Sequence, residues 1–479
     1  MSSTQKYIYR GPTEYHAMVG QVMAYLGFTG GRLPGLVEAV VLIKEENHRF
    51  FLHCLYGHDE MARSFVGELK TSLIGQEVKR YLLHWYDTWQ GVERGMWGIL
   101  IGVRPTKLVH HLLDKGLDEK QVQYELVHTY EVDAELASQL VRMAVLQQPY
   151  IKVPANQVSI YVGIPYCSSH CLYCSFPSRL VQQNVGIPSF IDALVQDIDD
   201  WGSICRQYGL HVHSIYVGGG TPTCLPVQAL QNILCAIKEA FPNVQEWTVE
   251  AGRPDTASLD KLTLLAECGV HRISVNPQTM QQSLLDCMGR KHVIEDVYRM
   301  YEQCRALHFS IINMDFIAGL PRQTVADMQE NMKIVCQLLP ENVTIHTLAL
   351  KKQAPLFSHP LRQEIPSEAI VTDMLACCHH TLKDAGYIPY YLYRQKYMAT
   401  DFANIGYAQP GTVSAYNIEM MEERQNIFAV GPGGATKLIT GKYTLAKMYQ
   451  PKDIDRYIQE LPETIKERHR LCADIWRRG

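Results

Sequence analysis

Three cysteines have the spacing of a ligand set. The segment Ile160–Phe176 reads IYVGIPYCSSHCLYCSF, which puts Cys167, Cys171 and Cys174 in a C-x3-C-x2-C pattern. Thiolates are the natural ligands of iron–sulfur clusters. Three on one loop can hold three irons of a cubane and leave the fourth open to a ligand that is not protein. Zinc also takes thiolates, but its sites usually pair two short Cys or His knuckles. His170, the neighbouring nitrogen donor, lies directly beside Cys171 and would be strained in reaching the same ion. Other cysteines, among them Cys205, Cys235, Cys268, Cys304, Cys336, Cys377 and Cys378, are spread through helix-like stretches. They read as small buried hydrophobes in a reducing compartment rather than as a disulfide framework.

Further polar groups recur downstream. Gly218-Gly219-Gly220-Thr221-Pro222 is either a tight turn or a loop whose bare backbone lets a ligand approach closely. Glu250, in TVEAGRPD, is a hydrogen-bond acceptor for a hydroxyl or a solvated loop acid. Gln278, in ISVNPQT, and Asp315, in NMDFIAGLP, are open to the same two readings. Each of these groups closes a short apolar run, so the elements around them decide the matter.

From Val158 the chain alternates short apolar runs with amphipathic stretches. Strands are predicted at Val158–Gly163, Ser214–Gly218, Glu246–Ala251, Arg272–Asn276, Ser310–Phe316 and Val343–Leu348. Helices are predicted at Ser189–Arg206, Val227–Ala240, Thr256–Cys268, His292–Leu307 and Thr324–Leu338. Such alternation predicts an α/β fold with a parallel sheet and right-handed crossovers, here a partial (βα)6 barrel. In barrels, chemistry sits at the C-terminal ends of strands, where all the groups above fall.

Residues 1–150 read as a separate α+β domain. It has a helix near Thr13–Leu26 and strands at Leu36–Lys44 and His48–Leu55 about a turn at Glu45–Asn47. Further helices are predicted at Glu77–Thr88, Leu108–Lys115, Glu119–His128 and Asp133–Leu146. Gln148–Gln157, with Pro149 and Pro154, looks like a linker. The barrel is expected over 151–352, and a mixed, mainly helical region covering the substrate over 353–479. That region holds a helix at Ser367–Ala385, a strand at Tyr387–Tyr393, a Gly431-Pro432-Gly433-Gly434 turn and a polar helical tail.

With 47% apolar and 20% charged residues, the composition is that of a globular protein. A formal net charge of −4 gives no electrostatic case for nucleic acid or an anionic membrane. The first residues lack the apolar centre of a signal peptide, and no run of about 18 apolar residues occurs to span a bilayer. A cytoplasmic protein is expected.

The C-x3-C-x2-C loop, with Tyr173 before its last cysteine, resembles the signature of radical S-adenosylmethionine (SAM) enzymes. The GGGTP element resembles the part of that family that holds the methionine end of SAM. With Gly319-Leu320-Pro321-x-Gln323-Thr324 after an Asn-x-Asp strand, the ordered series resembles the oxygen-independent coproporphyrinogen III dehydrogenase (HemN-like) family, over roughly Val158–Lys437. GVRPTK, EAGRPD and Tyr391-Leu392-Tyr393-Arg394-Gln395-Lys396 resemble its HemZ-type subgroup.

The resemblance implies a [4Fe–4S] cluster on Cys167, Cys171 and Cys174, and one or two molecules of SAM. By position, Tyr161, Gly219, Glu250 and Ala349 would contact cluster-bound SAM. Tyr173, Gly220, Thr221, Gln278, Arg290 and Asp315 match contacts to a second SAM. It further implies that a radical made from SAM takes hydrogen from a propionate of coproporphyrinogen III, whose oxidative decarboxylation gives protoporphyrinogen IX in haem biosynthesis. A tetrapyrrole substrate and an electron donor such as flavodoxin or ferredoxin are the partners implied. Substrate carboxylates call for cations, with Arg253, Arg290, Arg394 and Lys396 as candidates.

The chain departs from the dehydrogenases at Ser175-Phe176, where they carry Gly-Cys. The related haem chaperones have an acid and a phenylalanine there. Gly163 replaces a histidine common to both groups. A haem chaperone, or a radical SAM enzyme for another tetrapyrrole, therefore stands beside the decarboxylase reading.

Overall fold

Along six strands, apolar and polar residues alternate, and that period of two decides which face each side chain takes. The strands are β1 (Gln157–Ile164), β2 (His211–Gly219), β3 (Glu246–Glu250), β4 (Arg272–Gln278), β5 (Ile311–Ala318) and β6 (Asn342–Thr347). They lie side by side in chain order and all run parallel. One face carries Ile160, Val217, Val249, Val275, Phe316 and Ile345, all buried, as the covered face of a parallel sheet requires. The polar residues of the other face meet across neighbouring strands. Ser214 donates to Ser159 at 2.8 Å, Tyr216 to Glu250 at 2.7 Å, and Asn313 to Ser274 at 2.7 Å. The inner face is thus a polar lumen.

The crossovers are α1 (Ile187–Tyr208), α2 (Val227–Ala240), α3 (Leu259–Cys268), α4 (Ile294–Ala306) and α5 (Val325–Leu338). All six strands and five helices lie where the apolar pattern predicts them. After β6 come α6 (Glu368–Asp384), β7 (Ile388–Arg394), β8 (Ala403–Ala408), α7 (Ala415–Glu422), β9 (Asn426–Val430), β10 (Ala435–Gly441), β11 (Thr444–Tyr449) and α8 (Ile454–Trp476). The sheet order is β7-β8-β6-β5-β4-β3-β2-β1-β9-β10-β11, so late strands extend the sheet at both ends and it stays an open, partial barrel. Of these late strands the sequence pattern shows only β7. A run such as Asn426–Val430, buried at every position, has no periodicity to read.

This computed structural model describes residues 6–30, 39–46, 49–56, 59–66, 71–181, 186–394 and 402–476. The start of the strand predicted at Leu36, the turn residue Asn47, His48, and Gln395 with Lys396 lie outside them. The chain forms two compact units, Met1–Ala144 with Arg394–Phe402, and Val145–Tyr393 with Ala403–Gly479. The first holds a five-stranded sheet, in which Ala39–Glu46 and Arg49–Tyr56 form the expected antiparallel pair and Asp59–Val66 adds a further strand.

Three expectations need correction. Pro149 does not end its helix, which runs over Ala134–Ile151. Leu146, Tyr150 and Ile151 pack on the Tyr390, Tyr391 and Ile418 cluster, and Gln147 donates to the Tyr390 carbonyl at 2.9 Å, so tertiary contacts carry the helix past the proline. All fourteen cysteines are free thiols, but not all are core residues: Cys235 is exposed, and Cys268, Cys336 and Cys377 are half-buried on outer helices. Finally, Arg394 is buried in the smaller unit. Its guanidinium bonds the Leu100 carbonyl and lies 4.7 Å from the Trp97 ring, an arrangement that ties it into that unit's own packing. Among the described residues, no helix is long and apolar enough to cross a membrane.

The bottom of the lumen is closed by α7. The Glu246 carboxylate accepts from Ser414 Oγ and the backbone of Ala415 and Tyr416 at 2.8–3.1 Å, which holds the helix start against β3. Glu419, from the same helix, accepts from Ser159 and Ser214. With that end plugged, the lumen opens at the C-terminal strand ends.

Candidate functional site

The cysteine loop leaves β1 at its C-terminal end and is held from four directions. Tyr166–Cys167 pairs with Arg179–Leu180 as a short parallel ladder. Leu172 donates to the Met288 carbonyl at 3.1 Å and accepts from the Leu356 amide at 2.8 Å. A small apolar cluster of Met288, Ile317 and Leu320 packs beneath Leu172 and Tyr173. Gln323 winds the Gly319-Leu320-Pro321 turn behind that cluster, accepting from the amides of Gly319 and Leu320 at 2.8 and 3.0 Å.

The loop after β2 is stitched to the same strand end. Gly220 donates to the Ile164 carbonyl at 2.8 Å, and Thr221 to the Tyr166 carbonyl at 2.6 Å. A Cβ on Gly220 would stand 2.3 Å from the Tyr166 oxygen, so only glycine allows this approach, and Gly219 has a φ of +107° that other residues rarely adopt. Thr221 Oγ1 lies 3.7 Å from Cys167 Sγ, and the Phe176 amide 3.4 Å from Cys174 Sγ.

Deeper in the lumen, Tyr161 and Tyr216 stand on adjacent strands with near-parallel rings, 6.5 Å between centroids. Burial pushes the Glu250 carboxyl up to about 7, against the opposing pull of the Tyr216 hydroxyl. Asp315 behaves oppositely. Burial raises it, but His346 at 3.7 Å, Asn313 at 2.8 Å and Thr344 together hold it below the ordinary value. Gln278 sits where the β4–β5 register shifts, with φ +71°, a bulge that re-aims its side chain. Its buried Oε1, and Asn276 Oδ1 beside it, have no partner in the protein. Ala349, half-buried, follows β6 at the same end of the lumen.

The cysteine loop, the glycine loop, Glu250, Gln278, Asp315 and Ala349 therefore lie at successive C-terminal strand ends of one barrel. The arrangement fits a cluster with a ligand beside it. Three free thiols share a single loop, a glycine cradle leaves backbone exposed, and orphaned amide oxygens wait at the strand ends. A cubane spreads its thiolates over separate irons.

Two of the expected cations are otherwise engaged, which corrects their reading as substrate anchors. Arg253 is buried and donates twice to Ser169. Arg290 is also buried and donates to the Tyr173 hydroxyl at 3.0 Å and to the carbonyls of Gly252 and Asn276 at 3.2 and 2.6 Å. Sequence reasoning missed Tyr216 and His346. The alternation that points Gly218 and Thr344 inward also points these two inward, so the signal was present.

The family model described as the radical SAM superfamily matches residues 161–335. The oxygen-independent coproporphyrinogen-III oxidase-like protein HemZ of Bacillus subtilis is 35% identical over 390 residues, 79% of this chain and 77% of that protein. The heme chaperone HemW of Escherichia coli is 27% identical over 54% of this chain and 65% of its own length. Among solved structures, the Escherichia coli coproporphyrinogen III oxidase HemN has a TM-score of 0.54 at 23% identity, over 67% of this chain and 73% of that one. Its likeness is one of fold. On the HemZ match, joined to the superfamily match across the barrel, the chain belongs to the radical SAM superfamily, in the family of HemZ-type proteins.

Proposed function

We propose that the chain catalyses the oxygen-independent oxidative decarboxylation of coproporphyrinogen III to protoporphyrinogen IX, in the cytoplasm, with a flavodoxin- or ferredoxin-like electron donor. The observation that carries this reading is the likeness to HemZ across 79% of the chain, well beyond the barrel itself. Cys167, Cys171 and Cys174 would hold a [4Fe–4S] cluster. When bound, the cluster and SAM supply the one-electron cleavage that starts hydrogen abstraction.

The chain's own part is to bind, orient and exclude water. The backbone of Gly218–Gly220 would cradle the methionine end of SAM beside Cys167. Tyr161, Glu250 and Ala349 would line its seat, with Glu250 offering a carboxylate oxygen to a ribose hydroxyl. Tyr173, Gly220, Thr221, Gln278, Arg290 and Asp315 would face a second SAM, and the unpartnered Gln278 Oε1 is the acceptor that argues for a ligand there. The helix α7, bonded across β1, β2 and β3, would keep water from entering the lumen from below.

A second reading, a haem chaperone, is favoured by one feature. Phe176, the second residue after the last cysteine, points at the glycine cradle, its ring 3.3 Å from where a Gly219 Cβ would stand. One anaerobic incubation with coproporphyrinogen III, SAM and reductant separates the two. The decarboxylase reading expects a mass loss of about 46 Da per converted propionate, and transfer of deuterium from the propionate carbon next to the ring into 5′-deoxyadenosine. Deoxyadenosine without deuterium, together with stoichiometric haem binding, would replace it with the chaperone reading.

A further inference from the structure

The three residues between the first two cysteines, Ser168-Ser169-His170, have no helix or strand to fix them. What fixes them comes from the loop after β3. Arg253 Nη1 donates to the Ser169 carbonyl at 2.9 Å and Nη2 to the Ser169 hydroxyl at 2.7 Å, so one guanidinium fork reads both backbone and side chain of one residue. Its Nε lies 3.4 Å from Asp255, whose other oxygen accepts from the Ser168 hydroxyl at 3.2 Å. His292, buried, backs Asp255 at 3.8 Å. The arginine is 4% exposed, so it is committed to this loop and is not a surface charge resting on it. A lysine in its place has no planar fork to make the two bonds.

We propose that Arg253, with Asp255, is a positioning residue for the cluster-binding loop: the two clasp Ser169 and Ser168, fix the path between Cys167 and Cys171, and set the arginine's positive charge against the segment that joins two of the thiolates. The proposal rests on the reading of those cysteines as cluster ligands. Its two consequences are separable. Loss of the clasp loosens the loop and lets iron escape. Loss of the charge leaves a cluster, itself ligated by anions, harder to reduce.

The test uses the full chain, anaerobically reconstituted, as wild type, Arg253→Met, Arg253→Lys and Ser169→Ala. Iron release to a ferrous chelator and the midpoint potential of the cluster are read for each, with thermal unfolding alongside. Arg253→Met is expected to release iron at least about tenfold faster and to show a lower potential, since it removes two charge-assisted hydrogen bonds. Arg253→Lys is expected to release iron nearly as fast while keeping a potential near that of wild type. Ser169→Ala, which leaves the arginine and its carbonyl bond in place, should release iron a few-fold faster at unchanged potential. Wild-type release and potential in Arg253→Met overturn the proposal. If that variant does not fold, wild-type release in a folded Ser169→Ala protein overturns it instead. A wild-type chain that takes up no cluster would sink the ligand assignment itself, a different failure.

Discussion

A carboxylate walled off from water keeps its proton to higher pH, and Glu419 on the lumen floor is such a group. Burial raises it to about 7, opposed by the hydroxyls of Ser159 and Ser214, and its Oε1 has no partner in the protein. The folded chain then holds a proton that the unfolded chain has already lost above the ordinary carboxylate range. Stability should therefore fall as pH rises from 5 to 8, by about 2–3 kcal/mol from this group alone. In Glu419→Gln that part of the slope should vanish, which urea denaturation at the two pH values checks. An unchanged slope would mean the floor is wet. At the other end of the lumen, Cys171→Ala should abolish the cluster in reconstituted protein, whereas Cys224→Ala should leave about four irons per chain. The two cases differ in legibility. The cysteine spacing is written in adjacent residues and was readable. The floor needs Ser159, Ser214 and Glu419 brought together from distant parts of the chain, which no local pattern announces.

Elements were legible where one face of each is buried against the next. The β1–β6 strands and α1–α5 helices carry period-two and helical patterns because one side meets the lumen or solvent and the other the core. The polar tail was likewise readable as the helix α8, but its anchor was not. Arg468 on α8 is fully buried, donates to Asp197 and Asp200 on α1, and lies 4.4 Å over the Trp201 ring. Asp197 also accepts from Tyr457 at 2.7 Å and from the Gly431 amide at 3.0 Å, so a single carboxylate ties α8 and the glycine turn to the barrel. Arg468→Met should cost about 3–5 kcal/mol, because it strands buried negative charge, and Arg468→Met with Asp197→Asn should cost less than the single change. Chemical denaturation of the three proteins measures this. If the single variant lost under about 1 kcal/mol, the carboxylates would have to reach water by another route.

At the scale of the whole chain, the sequence pattern gave the order of strands and the strand ends that carry the cysteine and glycine loops, because parallel βα units leave few topologies open. It gave neither the late strands that extend the sheet nor the engagement of Arg253 and Arg290 with the protein itself. Both depend on residues far apart in the chain, and the second turned two expected substrate anchors into supports of the cysteine loop and its neighbouring strand ends, the proposed seat of the cluster. That seat can be tested through the stability of the molecule without any substrate. A ligand that binds only the folded chain stabilises it by about 2.7 kcal/mol at a hundredfold excess over its dissociation constant. For a chain of this size that corresponds to about 3 °C in melting temperature. SAM should produce such a shift in the reconstituted wild type under anaerobic conditions. In the Cys171→Ala protein the shift should be lost, since the thiolates, the glycine cradle and the strand ends are proposed to act as one seat. An equal shift in both proteins would show SAM held away from the cysteine loop, and the seat drawn here from Tyr161 to Ala349 would have to be abandoned.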